Sequence, residues 1–410
     1  MRLEVLNTGT ELLLGSVVNT HLRLIAEAIF PLGLRVERQT TVPDGAAIRD
    51  AIRETYGRAE IVVITGGLGP TTDDITRDVV AELLGLELIH DETIMQAITA
   101  RLARRGFAVG ERTRLQAQRP REAVVLPNHH GTAPGLYLEP RAAGAVNSPH
   151  LFLLPGPPRE LRPMFEESVL PILQGLLPPG PVAEMRIYRI GGLGESMVEE
   201  MVGEPLLALG LELGYCARPG EVDLRTIGDA GTLDQAERII SDKLGPRIIS
   251  RDERALEKVL VDQLTGRRET LATAESCTGG YVAHRITNVP GASAVFLQGF
   301  VTYSNEAKTA ALGVDAALIR AHGAVSHEVA GAMAEGARRV AGADHALATT
   351  GIAGPGGGTD EKPVGTVYIG LATKLGRGVV ERHRFPTDRE TFKDLVSQTA
   401  LDMLRRRLVV

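Results

Sequence analysis

The sequence predicts an α/β protein: two three-layer α/β domains joined by a small α+β connector. Three observations carry this expectation. Short β-branched runs alternate with helix-like runs in the first and last parts of the chain, many of these runs end in Gly- or Pro-rich loops, and proline and glycine cluster again between the two parts. At 410 residues the chain exceeds one ordinary core, since a domain typically holds roughly 100–200 residues. Its 43% hydrophobic and 23% charged residues suit a chain that buries a sizeable core and exclude disorder and a coiled coil.

Taken in order, Leu3–Asn7 reads as a strand, Thr20–Leu32 as a helix and Arg35–Thr41 as a second strand. Val42-Pro43-Asp44-Gly45 turns the chain into a helix ending near Tyr56, and Ile61–Thr65 is a β-branched strand closed by Gly66-Gly67-Leu68-Gly69-Pro70. This βαβ rhythm implies parallel strands with ligands gathered at their carboxyl ends. Leu151–Leu154 is a further strand, closed by Pro155-Gly156-Pro157-Pro158. The cluster Leu177-Pro178-Pro179-Gly180-Pro181 marks a boundary near residue 175.

The connector, residues 176–252, opens with a strand at Glu184–Ile190 and a Gly-Gly-Leu-Gly turn at 191–194, then mixes strand-like and helix-like patterns. From Ala255 a helix leads to the strand Thr270–Ala274 and to Glu275-Ser276-Cys277-Thr278-Gly279-Gly280, which opens another helix. Val295–Tyr303, His345–Thr350 and Gly365–Thr373 read as strands, 326–340 as a helix, and a helix from Arg389 closes the chain. The expected domains are therefore 1–175, the connector, and 253–410.

Composition excludes several roles. No stretch approaches the roughly 18 apolar residues of a membrane span, and the amino end lacks the basic and apolar regions of a signal peptide, so a cytoplasmic protein without membrane contact is expected. Cys216 and Cys277 lie far apart, which indicates neither a disulfide framework nor a structural zinc site. A net charge of −6 offers no general attraction to nucleic acid, and the best basic cluster, Arg101, Arg104, Arg105, Arg112, Arg114, Arg119 and Arg121, reads as a solvated helix face and loop. Lysines occur only at 243, 258, 308, 362, 374 and 393. In a chain that otherwise uses Arg, each Lys is a stronger candidate for chemistry that needs a titratable amine.

In the first domain, Gly66 and Gly67 let the backbone approach a phosphate where a strand gives way to a helix. Asp73 and Asp74 repel phosphate unless a divalent cation bridges them to it, and Thr10, Glu11 and Asp44 follow other strand ends that converge on the same edge. Helix capping explains the same Asp pair equally well. The stretches Gly9-Thr10-Glu11-Leu12-Leu13-Leu14-Gly15, Val42-Pro43-Asp44, Thr65–Thr76, Asn128–Gly135 and Leu154–Glu160 resemble the competence/damage-inducible protein A (CinA) family. That resemblance implies a molybdopterin-biosynthesis-like fold and metal-dependent ADP-ribose pyrophosphatase activity, yielding AMP and ribose 5-phosphate. It places Thr10, Glu11, Gly66 and Gly67 on the substrate and Asp44, Asp73 and Asp74 on a divalent ion, Mg, Mn or Co. Where the family usually reads Asp-Thr-Asn, this chain has Asn19-Thr20-His21, which removes one carboxylate and leaves Asn and His as weaker ligands.

In the last domain, Ser276 stands at a strand-to-helix junction whose amides could stabilise an oxyanion, with Cys277 as a rival nucleophile or a small buried thiol. Tyr303 and Lys308 follow another strand end, and a Lys of lowered pKa can take the serine proton while Tyr303 relays that proton or orients the amine. A helix cap and a surface Lys are the bland alternatives. The Gly-rich run after Thr350 and Gly351 could wrap an anionic ligand, and Arg389 could clamp a phosphate. Ala274–Gly280, Tyr303–Lys308, Thr350–Gly357 and Lys362–Val367 are similar to the family's nicotinamide mononucleotide deamidase domain.

The resemblance implies that Ser276, Lys308 and Tyr303 hydrolyse the carboxamide of nicotinamide mononucleotide without a cofactor, releasing ammonia. Cys277, Thr278, Gly279 and Gly351 would hold the oxyanion, and Thr350 and Arg389 the nucleotide. The whole chain then reads as a bifunctional hydrolase of pyridine-nucleotide recycling, expected as a homodimer acting on nicotinamide mononucleotide and ADP-ribose. The competing reading is a non-catalytic pterin- or nucleotide-binding protein, or a competence scaffold.

Overall fold

The structure, a computed structural model, describes all residues except 144, 145, 179 and 410, and all described side chains except those of 142, 143 and 146. Pro179 of the proline cluster thus lies outside the described residues. The chain divides into two compact units, Met1–Ala183 and Glu184–Val410.

In the first unit, β1 (Leu3–Thr8), β2 (Val36–Val42) and β3 (Ile61–Thr65) run parallel, with β1 between the other two. A separate ladder joins β4 (Leu88–His90) to β5 (Gln118–Pro120). Strands β6 (Val124–Leu126) and β7 (Gly135–Leu138) form an antiparallel pair, and β8 (Ala142–Ala143) and β9 (Val146–Asn147) a small hairpin. Finally β10 (His150–Leu154) pairs with β3 in parallel and with β7 antiparallel, giving the order β2-β1-β3-β10-β7-β6. The sheet is mixed where parallel strands were expected. The sheet strands β6, β7 and β10 follow one another within residues 124–154 with only the β8–β9 hairpin between the last two, and such short connections permit only antiparallel neighbours.

Its helices are α1 (Thr10–Leu13), α2 (His21–Ile29), α3 (Ala47–Thr55), α4 (Thr76–Leu83), α5 (Glu92–Arg104), α6 (Glu111–Leu115), α7 (Pro158–Met164) and α8 (Leu170–Leu176). The central strands β1, β3 and β10 are buried on both faces, so alternate residues serve two cores. Val5, Ile61, Val63, Phe152 and Leu154 pack with α2, α7 and α8, whereas Leu6, Val62, Ile64, Leu151 and Leu153 pack with α3 and α4. This is the three-layer arrangement.

The second unit begins with β11 (Glu184–Gly191), α9 (Glu195–Leu207), β12 (Glu212–Arg218), β13 (Glu221–Gly228), α10 (Ala230–Leu244) and β14 (Ile248–Ser250). These form an antiparallel sheet of order β12-β13-β11-β14, the split βαβ topology, and α9 and α10 share its apolar core through Val198, Val202, Leu233 and Ile240. The rest comprises α11 (Leu256–Arg267), β15 (Leu271–Glu275), α12 (Tyr281–Thr287), β16 (Phe296–Val301), α13 (Asn305–Leu312), α14 (Ala316–His322), α15 (His327–Ala341), β17 (His345–Gly351), β18 (Thr366–Thr373), β19 (Val379–Arg384) and α16 (Arg389–Val409).

Here the order is β16-β15-β17-β18-β19, with β16, β15 and β17 parallel and β18 and β19 antiparallel. One face is lined by Ala272, Ala274, Ala346, Ala348 and Ala372, whose small side chains admit α13–α15 closely; the other carries Leu271, Leu347, Ile369 and Leu371 against α11, α12 and α16. The connector does not stand apart as a joint. It shares a compact unit with the last domain, where the buried Arg405 of α16 donates to the carbonyls of Ile248 (3.0 Å) and Pro246 (2.5 Å), and Gln398 donates to Glu221 (2.8 Å).

Candidate functional site

In each unit the parallel strands end at one edge, and the chemistry-bearing residues follow those ends. In the second unit, Glu275 closes β15 and Ser276 follows, its amide donating to the Thr349 carbonyl on β17 (2.9 Å). At the end of β16 the Thr302 amide donates to the Glu275 carbonyl (2.8 Å). Ser304 then caps α13, its hydroxyl accepting from the Ala307 amide (3.1 Å), which places Lys308 in the first turns of that helix.

Lys308 is 1% exposed and makes no salt bridge among the described residues. Its Nζ donates to the Thr302 carbonyl (2.9 Å) and lies 3.2 Å from Ser276 Oγ. Burial pushes its pKa below the ordinary lysine value, against the smaller opposing influence of Cys277 and Glu306. Cys277 is buried and its thiol is pushed up to about 12 by that burial, so it is a protonated core residue and not a nucleophile. Only its backbone remains for the binding role expected of it.

The turn after Ser276 is held from inside. The Glu275 carboxylate, 1% exposed, accepts from the Thr278 hydroxyl (2.6 Å) and from the amides of Gly280 (3.0 Å), Val282 (3.0 Å) and Ala283 (2.8 Å). The first amides of α12 are therefore occupied, as is the Gly279 amide, which donates to the Ser276 carbonyl (3.2 Å). Among the described residues, the amides of Cys277 and Thr278 donate to no backbone carbonyl. Within this turn, Cys277 and Thr278 are thus the expected oxyanion donors whose amides stay open.

Three side chains make contacts other than the expected ones or beside them. The Thr350 hydroxyl is buried and donates to the Ala324 carbonyl (2.8 Å), so it braces the loop instead of facing a nucleotide. The Thr278 hydroxyl is spent on Glu275 and on Thr349 (2.7 Å). Tyr303, 62% exposed in the linker before α13, has its phenol oxygen accepting from Arg389 (2.8 Å), while the bonds of the Lys308 amine among the described residues go to Ser276 and Thr302. Arg389 also donates to the Gly354 carbonyl (3.1 Å), so it reaches the Gly-rich loop that follows Gly351.

The first unit holds an open cleft of about 530 Å³, lined by Glu11, Asn19, His21, Asp44, Gly66, Gly67, Asp73 and Asp74 together with the Pro155–Pro158 loop. Its glycines are required sterically. Gly66 and Gly67 have φ of +102° and +68°, and a Cβ on Gly67 would meet the Thr76 hydroxyl at 2.0 Å. The Gly66 amide donates to the Leu154 carbonyl (2.9 Å), so of the pair it is the Gly67 amide that is left for a ligand. Thr10 clamps Asp44 through its amide (2.9 Å) and hydroxyl (3.1 Å), and Thr71 binds Asp74 through its amide (2.9 Å) and its hydroxyl.

Among the described residues no three His, Cys, Asp or Glu side chains gather to hold a metal ion. The donor chemistry fits a shared ion, as magnesium is commonly held by one or two carboxylates completed by substrate phosphates. Asn19 and His21 are engaged inside the protein. Asn19 accepts from the His21 amide (3.0 Å), while Gln39 donates to Asn7 (2.7 Å), Asn7 to Thr65 (2.7 Å), and Thr65 in turn meets His21 Nδ1 (2.8 Å). With its oxygen accepting from Asn7, Thr65 has its proton free for Nδ1, which leaves the ring proton on Nε2. Burial lowers the His21 pKa, and the Gly156 backbone partly offsets that shift.

Sequence reasoning passed over Glu275, Thr349, Asn7 and Glu160. Glu160 is buried and accepts from Asn128 (2.9 Å), which fixes the 128–133 loop beside the cleft. A signal existed: an acid or amide inside an apolar strand, as in Leu271-Ala-Thr-Ala-Glu275 or Leu3-Glu-Val-Leu-Asn7, must be bonded once buried. In the arginine cluster, Arg119 pairs with Asp91 (2.7 Å) and Arg121 with Glu87 (2.5 Å), while Arg101 donates to the His129 carbonyl (2.6 Å).

Comparison with known proteins agrees with this architecture. Residues 4–175 match the probable molybdopterin binding domain, 185–245 the damage-inducible protein CinA KH domain, and 253–408 the CinA C-terminal domain. A CinA-like protein of Akkermansia muciniphila is 46% identical over 402 residues, covering 98% of this chain and 96% of that protein. A putative competence-damage inducible protein of Caldicellulosiruptor saccharolyticus is 42% identical over 424 residues and covers all of both chains. Among solved structures, the competence/damage inducible protein CihA from Agrobacterium tumefaciens is 41% identical, covers 36% of this chain and 91% of its own, and superposes with a TM-score of 0.36. The chain belongs to the competence/damage-inducible protein A (CinA) family.

Proposed function

We propose that the second unit hydrolyses an amide through Ser276 and Lys308, and that its substrate is nicotinamide mononucleotide. The observation that carries the reading is the buried Lys308 amine, lowered in pKa, 3.2 Å from Ser276 Oγ. That is the geometry of a nucleophile with its general base. The choice of substrate rests on family membership and on the motif resemblance around Ser276, Lys308 and Thr350.

In this mechanism the neutral Lys308 amine takes the Ser276 proton as Oγ bonds to the carboxamide carbon. The oxyanion faces the Cys277 and Thr278 amides. Collapse breaks the C–N bond, and Lys308 returns the proton to the departing nitrogen, which leaves as ammonia. Water then attacks the acyl carbon and yields its proton to Lys308. The C–Oγ bond breaks, Ser276 regains its proton from Lys308, and nicotinic acid mononucleotide is released. Arg389, beside the Gly-rich loop, supplies a cation for the phosphate.

For the first unit the proposal is cleavage of ADP-ribose to AMP and ribose 5-phosphate. Gly67 presents its amide to the diphosphate, and one or two of the carboxylates Asp44, Asp73 and Asp74, which do not gather as a set of three among the described residues, would hold a divalent ion. When bound, such an ion neutralises charge on the phosphoryl oxygens. The cleft equally suits a pterin or nucleotide that is held without reaction, and the same experiment separates the two. Ammonia release from nicotinamide mononucleotide is measured for the parent and for Ser276→Ala, and both are assayed on ADP-ribose with and without a divalent ion. Release by the parent alone, with ADP-ribose cleavage equal in the two proteins, is expected; no reaction in either assay leaves the ligand-holding reading.

A further inference from the structure

We infer that Glu275 is a positioning residue of the Ser276 site: its carboxylate shapes the turn that presents the oxyanion donors, and its carbonyl sets the register that seats Lys308. The inference rests on the reading of Ser276 and Lys308 as nucleophile and base, but not on the identity of the substrate.

Two properties of Glu275 carry it. It is a carboxylate 1% exposed that makes no ion pair among the described residues. An isolated buried carboxylate is costly unless its oxygens are fully bonded. Here they are, by four donors that all lie in the eight residues after it: the Thr278 hydroxyl and the amides of Gly280, Val282 and Ala283. The chain leaving β15 is thereby folded back over its own last residue. Ser276, Cys277 and Thr278 form the outside of that bend, and the Cys277 and Thr278 amides are the ones that no backbone carbonyl takes.

The second property is its backbone. The Glu275 carbonyl accepts from the Thr302 amide (2.8 Å), and the Thr302 carbonyl accepts from Lys308 Nζ (2.9 Å). One residue therefore fixes the nucleophile turn through its side chain and the base through its main chain. The Thr278 hydroxyl extends the clamp to Thr349, whose carbonyl receives the Ser276 amide. Pre-placed donors of this kind act on the transition state and not on ground-state binding.

Replacing the carboxylate by an amide leaves one oxygen able to accept and turns the other position into a donor facing donors. Glu275→Gln should therefore loosen the turn while keeping size and shape. The test uses the whole protein and a fluorophosphonate, which needs only an activated serine: Ser276 Oγ bonds to phosphorus, fluoride leaves, and the serine proton passes to Lys308. Labelling at Ser276 is located by peptide mass, and its rate is compared between the parent, Glu275→Gln and Thr278→Val. Thr278→Val removes only the hydroxyl link and carries the test if Glu275→Gln fails to unfold cooperatively.

The expected result is labelling slowed roughly 10²-fold in Glu275→Gln, the scale of a lost oxyanion donor, and less in Thr278→Val. With nicotinamide mononucleotide as substrate, kcat corrected for the folded fraction should fall in parallel while KM is retained, and that correction removes the part a merely destabilised fold would contribute. Labelling of either folded variant within twofold of the parent overturns the inference. A parent that is not labelled at Ser276 overturns it together with the reading beneath it. A labelled parent that releases no ammonia, with slowed variants, removes the substrate assignment and supports the positioning role.

Discussion

Arg389 donates to the phenol oxygen of Tyr303 across 2.8 Å, joining the first turn of α16 to the linker before α13. Arg389 also donates to the Gly354 carbonyl in the Gly-rich loop. In the proposed reaction the part this contact gives Tyr303 is to place Arg389, with Lys308 as the base. Tyr303→Phe should raise KM for nicotinamide mononucleotide about 3- to 10-fold, the effect of one ordinary hydrogen bond, with kcat nearly unchanged. Steady-state kinetics of the variant checks this; a collapse of kcat at constant KM would return Tyr303 to the proton path.

Lys308 gives the site its pH dependence. Burial lowers its pKa, so the neutral amine forms at a lower pH than for a free lysine. Activity should rise with pH along the acid limb and level off above the lowered value, and that limb should be missing from residual turnover in Lys308→Met. Loss of the base should lower kcat roughly 10²- to 10⁴-fold. The linkage to stability has the same sign: between the lowered value and the ordinary one the unfolded chain binds more protons, so stability increases with pH through that window. Rate profiles and thermal unfolding across pH 6–10 test both.

His21 predicts a dependence of the same sign, at lower pH, for the first unit. Burial depresses its pKa, and protonation at Nδ1 would remove the acceptor that Thr65 uses. The neutral ring is favoured in the folded state. As pH falls below the ordinary histidine value of about 6.5 the unfolded chain takes up the proton first, and stability declines until the folded value is passed. His21→Asn, which cannot titrate, should flatten the dependence of the first unit's unfolding temperature between pH 5 and 7. Calorimetry of parent and variant measures the difference.

Cys277 should be chemically silent. At pH 8 a thiol pushed up to about 12 is almost wholly protonated, whereas Cys216 is exposed. Brief iodoacetamide treatment of the folded protein should modify Cys216 alone. Cys277→Ala should keep deamidase turnover, with a stability cost of about 1–2 kcal/mol from the lost packing. Peptide mass mapping and kinetics check the two halves of the statement.

Much of this architecture was legible because period and punctuation agree. Ile61–Thr65 followed by Gly66-Gly67 can hardly be other than a strand ending in a tight loop, and the structure places it so. The region from Leu86 to Asn147 was legible only as a helix face and loop around its arginines. It holds the helix Glu92–Arg104 and several strands of two to four residues, too short for an alternation to register. The strand Val379–Arg384 was hidden for another reason: it is an edge strand rich in charge, with no apolar face to advertise it.

In the sites, residue type pointed to Ser276 and Lys308, and the distance between them could come only from the fold. What pattern reading missed were the inward bonds. Whether Thr350 or Thr349 faces a ligand depends on which side of β17 each lies, and both hydroxyls prove to be spent within the protein.

The attachment of Arg405 to the Pro246 and Ile248 carbonyls also sets a timetable. Donor and acceptors are separated by 159 and 157 residues, so a ribosome adding roughly 5–20 residues per second exposes the carbonyls about 8–30 seconds before their donor exists. In that interval the Pro246 and Ile248 oxygens lack the donor that holds them in the folded chain, although every strand of the antiparallel sheet has already been made. The final helix is in this sense a late rivet, driven through a plate that has already cooled.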